Sequence, residues 1–342
     1  MDSALQLAVS GFTSPILIFF LVGCLLALMS RDLTMPPMIS KALAFFLVFS
    51  IGVKGAANLG GAGDGAQLIV ALVLGLGLAV VMTALAFGLL QRMVKLNRTD
   101  AAAVAASYGS ISIVTFAAMS VLLKTNGIAF DGWMVFVAAL MKAPALLAAV
   151  AFARLPAPAT MSVAGGGAAA LAGASGGGGG FGRMIGTIAQ DRMVQLLLGA
   201  FTLGLIAGEL GIGYEQNIAF ELFPVLLCIF LLDQGLVVGR RLYRLAKRFD
   251  KRLLPVAIGV PLLGGMIAVL LGTALGLSTG NTALLATLAA SASYLSAPAA
   301  IRAALPGARP ELFTTFPLCV TLPFNLVIGL PLYLAASAWL AG

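Results

Sequence analysis

The chain has 342 residues, of which 61% are hydrophobic and only 9% are charged, whereas an average soluble domain carries about 25% charged residues. It contains no histidine, which excludes histidine-based catalytic triads and the usual zinc sites. So few charges cannot cover the surface of a soluble protein of this length. The composition therefore predicts a membrane protein.

Ten hydrophobic segments are long enough to cross a membrane. A helix needs roughly 20 apolar residues to span a hydrocarbon core of ~30 Å. The three cysteines lie inside these segments, where we expect small buried hydrophobic residues and not disulfides or metal ligands. We predict an all-α polytopic membrane protein with spans at 13–30, 36–53, 66–90, 101–123, 128–153, 193–210, 217–238, 253–278, 281–305 and 312–341.

The basic residues predict the orientation of these spans, since Lys and Arg collect on the cytoplasmic side of a membrane. With the N-terminus outside, all but three of the 20 Lys and Arg residues fall in inner connections. We therefore predict a bacterial inner-membrane protein with both termini outside. The net charge of +8 then reflects topology and anionic membrane lipid, above all at 240–252, and not nucleic-acid binding. The three exceptions are Lys54, Lys124 and Lys142.

A Gly- and Ala-rich stretch at 155–192 divides the chain into two groups of five spans, at 1–154 and 193–342. Its composition is that of a flexible linker, which we place in the cytoplasm. An odd number of spans in each half requires the second half to enter the membrane with opposite polarity. We therefore expect an inverted repeat, which is typical of secondary transporters. Short matches between spans four and nine and between spans five and ten, offset by 182 and 179 residues, support this repeat.

Spans four and nine have the composition of an anion site. Each brings small hydroxyl residues and a helix-breaking residue, Gly109 or Pro298, to mid-membrane. A broken helix leaves backbone N–H groups and a partial positive charge at its new end, and two such ends would bind a small anion. The alternative is purely structural, since serine and other small residues also bring membrane helices together.

Lys142 is the basic residue that topology does not explain. It lies in the middle of span five, where a lysine costs ~2.5–3.5 kcal/mol to insert, so we expect it to face a cavity or a partner. A salt bridge with Asp233 in span seven is the alternative. Lys54, just beyond span two, is expected to anchor that span at the membrane surface or to lie in an outer vestibule. Because no paired carboxylates lie at mid-membrane, we predict no enzyme activity, cofactor or metal.

Several stretches resemble a known family in their order and spacing. They are residues 14–59, the Tyr108-Gly109 pair followed by Ser112 and Thr115, residues 127–133 and 143–146, and the Ser-Ala-Pro at 296–298. All are similar to the sodium-dependent bicarbonate transporters, the SbtA-like permeases. The resemblance covers nearly all the chain apart from 155–192.

The resemblance implies a ten-span inverted repeat divided into gate and core domains, elevator-type transport, a homotrimer, and bicarbonate held between spans four and nine. It also implies a PII-like regulatory protein on the cytoplasmic face, but the linker here is Gly/Ala-rich and not charged, which does not favour that partner. The hydroxyl positions of the family correspond to Ser112, Thr115, Ser291, Ser293 and Ser296, and the predicted substrate site also includes their neighbours Ser110, Phe116 and Ala297.

The chain departs from the family at two acidic positions, where it has Lys142 and Tyr294, and at two serine positions, where it has Val114 and Ala292. Two lost carboxylates and one added ammonium disfavour a bound sodium ion. We therefore hypothesise that the Lys142 ammonium replaces the sodium charge, with Tyr294 and Asp233 as the other coupling residues. A buried lysine can also carry a proton, so proton coupling and uncoupled flux both stay open.

Two other functions fit the same pattern. The chain could transport another small monovalent anion or carboxylate on the same fold. Alternatively, it could be a receptor-type or channel-like membrane protein that keeps the scaffold without transport. The paired hydroxyl-rich segments favour a binding site over an inactive scaffold.

Overall fold

The computed structural model describes residues 7, 11–30, 32–57, 65–154, 192–210, 221–245, 250–295 and 297–341. Within these ranges the chain is helical and forms no strand, which confirms the predicted all-α fold. The linker predicted at 155–192 lies outside the described residues, apart from its last residue. So does the candidate site residue Ser296.

Twelve helical segments of the described residues are numbered in chain order. The third continues to Val94 in a π-helical turn, and the last contains two π-helical turns. They are α1 (Pro15–Met29), α2 (Pro37–Ala57), α3 (Gly65–Leu89), α4 (Arg98–Gly109), α5 (Ile113–Thr125), α6 (Met134–Arg154), α7 (Arg192–Glu209), α8 (Phe223–Leu245), α9 (Leu254–Ala274), α10 (Thr279–Ala290), α11 (Ala297–Ala304) and α12 (Pro310–Leu340).

Seven helical stretches of the described chain are long and apolar enough to cross a membrane, which confirms a polytopic membrane protein. Two further apolar helices, Pro15–Met29 and Met193–Gly208, are shorter. The ninth predicted span, 281–305, is not one helix, because the chain leaves the helical conformation after Ala290 and resumes it at Ala297. This interruption is the break that the sequence predicts in span nine.

The described helices pack in two groups. α1 packs along α8 and α2 along α7, whereas α3, α4 and α6 pack together with α9, α10 and α12. Glycine allows the close contact of α1 with α8, since a Cβ atom on Gly23 or Gly235 would collide with the backbone of the opposite helix. The second group contains both broken segments, α4–α5 and α10–α11.

α4 and α10 share the same local design. Each has 12 residues, and their first residues are 98 and 279. Each begins at a side-chain cap, because Asn97 accepts a hydrogen bond from the N–H of Asp100 and Ser278 accepts one from the N–H of Asn281. Each ends at a serine with extended or near-extended backbone, at residues 110 and 291.

The first turn of each of these helices is also tied to a distant loop. The Asp100 carboxylate accepts hydrogen bonds from the backbone N–H and the Nε of Arg309, at 2.8 and 2.7 Å. In the same position of α10, Asn281 donates to the Asp131 carboxylate at 2.6 Å and accepts from its backbone N–H at 2.9 Å. These contacts fix the N-terminal turns of α4 and α10. The C-terminal ends of the same two helices lead into the breaks.

Candidate functional site

The first break separates α4 from α5. α4 ends at Gly109, residues 110–112 are not helical, and α5 begins at Ile113. Only glycine fits at 109, because a Cβ atom there would collide with the Thr83 side chain and lie 2.7 Å from the carbonyl oxygen of Ala79. Ser112 caps the new helix, since it accepts the N–H of Thr115 at 3.5 Å, and its carbonyl accepts the Thr115 hydroxyl at 2.9 Å.

The two broken segments meet at their breaks, where hydrogen bonds join them, and we call this region the crossing. The N–H of Ser112 donates to the hydroxyl of Ser291 at 2.9 Å, and the N–H of Ser293 donates to the carbonyl of Ser107 at 2.9 Å. The N–H of Ala297, at the start of α11, donates to the hydroxyl of Ser293 at 3.2 Å. The crossing therefore brings the beginnings of α5 and α11 close to the ends of α4 and α10.

A small cavity of about 30 Å³ lies beside the start of α5. The N–H groups of Ile113 and Val114 donate no hydrogen bond within the described chain, as expected for the first turn of a helix. The hydroxyl of Tyr294 is buried and finds no hydrogen-bond partner among the described residues. The cavity thus offers donors and a helix N-terminus. Its lining includes Ser112, Ile113, Val114, Phe230, Ser293 and Tyr294.

Lys142 also lies at the crossing. It is 6% exposed, belongs to α6, and lines a second cavity of about 20 Å³ together with Ser110 at the first break and Ala297 at the start of α11. No carboxylate of the described chain lines this cavity. Asp233 faces other groups, since its carboxylate accepts a hydrogen bond from Gln234 at 3.4 Å and lies beside Ser40.

The structure brings most of the predicted site residues together. Ser112, Ser293 and Tyr294 line the first cavity, while Ser110, Lys142 and Ala297 line the second. Ser291 joins the two broken segments. Two members of the predicted set lie elsewhere: Phe116 faces a larger cavity near Lys54 and Lys124, and Asp233 lines neither small cavity.

Three polar residues at the crossing are not among the residues predicted from the sequence. Asn325 in α12 donates to the carbonyl of Ala290 at 2.8 Å and so satisfies the open end of α10. The Tyr108 hydroxyl lies 2.9 Å from that of Thr321, which donates to the carbonyl of Ala257 at 2.9 Å. Their signal in the sequence is a polar side chain inside an apolar span, which by itself does not distinguish them from polar residues elsewhere in the membrane.

A protonated Lys142 side chain would repel a cation in the second cavity. Among the described residues its only charged lining group is the Lys142 ammonium, and its remaining side chains are a serine hydroxyl and apolar groups. Two positive charges 4 Å apart repel by about 4 kcal/mol at an effective dielectric constant of about 20. An anion is attracted by the same ammonium, and the helix N-terminus of α11 adds to that attraction.

A comparison with the sequence profiles of known families identifies the family of the chain. The sequence profile of the Na⁺-dependent bicarbonate transporter superfamily matches residues 15–338, which is nearly the whole chain. No individual curated protein matched the sequence. Membership in a family of transporters agrees with the expectation that the chain is not an enzyme. With its broken, crossing helices and its match along almost its full length, the chain belongs to the Na⁺-dependent bicarbonate transporter superfamily.

Proposed function

We propose that the protein transports bicarbonate through the crossing of α4–α5 and α10–α11, and that the Lys142 ammonium replaces the sodium ion used in the family. The observation that carries this proposal is the position of Lys142, buried at 6% exposure beside the first break and the start of α11. A lysine at mid-membrane is costly unless it faces a cavity or a partner, and Lys142 lines a cavity in which an anion would interact with its ammonium.

The donors available at the crossing suit a small oxyanion. The N–H groups of Ile113 and Val114, the hydroxyl of Tyr294 and the helix ends of α5 and α11 all present positive partial charge. Bicarbonate has three oxygen atoms that accept such hydrogen bonds. Charge-assisted hydrogen bonds of this kind are about twice as strong as neutral ones.

Transport requires the crossing to open. The two small cavities have volumes of about 30 and 20 Å³, each enough for a water molecule but not for the four heavy atoms of bicarbonate. We infer that the group containing α4, α5, α10 and α11 moves against α1, α2, α7 and α8, with the former as the core and the latter as the gate. The helices of each group contact one another more extensively than they contact the other group, which supports an elevator-type motion.

The remaining architecture is proposed on the same basis. Residues 1–154 and 193–342 would form an inverted repeat, joined by a cytoplasmic linker at 155–192, and both termini would lie outside a bacterial inner membrane. The equal lengths and matching caps of α4 and α10 support the repeat. A homotrimer is proposed by family membership, and a PII-like partner is not proposed.

The test is a matrix of bicarbonate uptake into proteoliposomes with and without sodium and proton gradients. We expect uptake above that of protein-free liposomes, with no dependence on sodium. Lys142→Met is expected to reduce uptake at least tenfold, and Lys142→Asp to weaken anion transport or restore a sodium requirement. Lys41→Met, at an exposed position of α2, is the matched control.

Strong sodium dependence of the wild-type protein would contradict the proposed role of Lys142. Equal uptake by wild type and Lys142→Met would contradict it as well. Formate, acetate, nitrate and chloride serve as competitors in the same matrix. If one of them is transported in preference to bicarbonate, the substrate assignment is wrong and the fold serves another small anion.

A further inference from the structure

A much larger cavity lies beside α5 and shares no lining residue with the two small cavities at the crossing. Its volume is about 340 Å³, more than ten times that of the cavity beside α5. It is bounded by the end of α2, α5 from Phe116 onward, the loop before α6 with the start of that helix, and the start of α8. We call it the outer cavity, and its lining includes Lys54, Phe116, Lys124, Phe130, Glu221 and Phe223.

Two lysines that are 70 residues apart in the chain converge on the outer cavity. Lys54 and Lys124 both line it, and their positive charges act on each other. They are also the two basic residues that the predicted topology places on the outer side of the membrane. Glu221 is the acidic residue in the lining. These three side chains together carry one net positive charge, which matches a monovalent anion.

The rest of the lining is mostly apolar. Phe116 and Phe223 are buried, Phe130 is half-buried, and Ile51, Val121 and Val135 add aliphatic surface. The ammonium of Lys54 lies 4.6 Å from the centre of the Phe223 ring, a cation–π distance that holds the charge over the aromatic wall. Bicarbonate is polar throughout and gains nothing from such a wall.

The volume of the outer cavity also favours a small organic ligand over bicarbonate. Sites for small organic ligands have volumes of about 300–1,000 Å³ and are mostly apolar with a few polar or charged groups that orient the ligand. The outer cavity lies within this range, whereas the two cavities at the crossing have room for single water molecules. Its combination of two ammonium groups and three phenyl rings suits a carboxylate with a compact apolar body.

The outer cavity also lies next to the proposed substrate site. Phe116 lines it from α5, one helical turn and about 6 Å along the axis from Ser112 at the crossing. A ligand that fills the cavity would cover this side of α5. It would therefore block the approach of an anion from the outer cavity to the start of the helix.

We propose that the outer cavity is a second binding site, for a small aromatic or branched monocarboxylate, and that its occupation inhibits transport. The carboxylate pairs with Lys54 and Lys124, and the apolar body packs against Phe116, Phe130 and Phe223. Binding at this site is independent of the function proposed above, whereas the inhibition rests on it. Binding and inhibition are therefore measured separately.

Benzoate is the probe, and calorimetric titration of the purified protein measures its binding. The titration is run at about pH 6.5, well above the pKa of a carboxyl group and well below that of a lysine. We expect benzoate to bind and benzyl alcohol, which has the same ring without the charge, not to bind. Lys124→Met, at an exposed position, is expected to weaken benzoate binding about tenfold, and Lys54→Met/Lys124→Met to abolish it. Lys41→Met/Lys95→Met removes two exposed lysines elsewhere and is expected to bind as the wild type does.

A protein that does not bind benzoate, or that binds it equally well after Lys124→Met, would overturn the proposal. Because Lys124 is exposed, this single variant keeps the test valid even if the double variant fails to fold. Ser291→Ala, at the crossing, is expected to keep its benzoate affinity. A loss of benzoate binding in Ser291→Ala would place the ligand at the crossing and not in the outer cavity.

Inhibition is tested with bicarbonate uptake in the presence of external benzoate. We expect uptake to fall in wild type and to resist benzoate in Lys124→Met. Accumulation of labelled benzoate inside the liposomes would show a substrate and overturn the blocking role. If benzoate binds but bicarbonate is not transported, the outer site stands and the function proposed above fails, so the two failures are distinguishable.

Discussion

The crossing and the outer cavity, the two regions proposed to bind anions, differ in how much open space each leaves for a ligand. At the crossing, backbone and hydroxyl groups fill nearly all the space, and the cavities have volumes of about 30 and 20 Å³. In the outer cavity, about 340 Å³ is open and the charges stand on flexible lysines. Tight packing favours selection of a small ligand, whereas an open charged cavity favours access. Residues of α5 line both regions, so substitutions along one helix can test the two proposals separately.

The largest effect on stability is expected from a substitution that adds a methyl group at the tightly packed crossing. Gly109→Ala forces a methyl group against Thr83 and the carbonyl of Ala79, so we expect a loss of stability of up to about 3 kcal/mol. Gly88→Ala in α3, where a Cβ atom has open space, is the matched control and should be neutral or slightly stabilising. Thermal unfolding midpoints of the purified variants in detergent measure the difference. Equal unfolding midpoints for the two variants would show that the crossing is not tightly packed at Gly109, and would contradict the contrast with the open outer cavity.

A smaller effect is expected from the hydrogen bond that joins the two broken segments. Ser291→Ala leaves the N–H of Ser112 without its acceptor, which costs about 1–2 kcal/mol at a buried position. Thr287→Ala is the control, because the Thr287 hydroxyl donates to the carbonyl of Ala283 within its own helix. Unfolding midpoints and bicarbonate uptake should both fall more in Ser291→Ala. If Thr287→Ala is equally harmful, the link across the crossing has no special role.

The smallest effect is expected at the surface of the outer cavity. Lys124→Met should lower the initial rate of bicarbonate uptake by less than about threefold at low salt, because exposed charges are weakly coupled to their surroundings. The difference should disappear at ~1 M ionic strength, where the screening length is ~3 Å. The effect of Lys142→Met should persist at high salt, since buried charges are screened much less. Initial rates in a series of potassium sulfate concentrations measure both. A salt-insensitive effect of Lys124→Met would mean that this lysine acts by contact and not by attraction.

The breaks in spans four and nine could be predicted from residue type. Gly109 and Pro298 disfavour a continuous helix, and the serines around them are poor helix formers that cap the next helix well. The direction of the Asn325 side chain could not be predicted, because its partner is the carbonyl of Ala290, which becomes open only when α10 ends there. The position of Phe116 was predicted at the crossing, but its side chain faces the outer cavity, one turn further along α5.

Composition and local pattern alone determined that this is a helical membrane protein with two interrupted spans and one unexplained lysine. Hydrophobicity, charge distribution and helix-breaking residues act over a few neighbouring positions, and such short-range physics is visible in a single sequence. Tertiary structure decided which distant groups meet: Ser112 with Ser291, Lys142 with Ala297, and Lys54 with Lys124. These pairs are 155 to 179 residues apart in two cases and 70 in the third, and only the packing of whole helices brings them together.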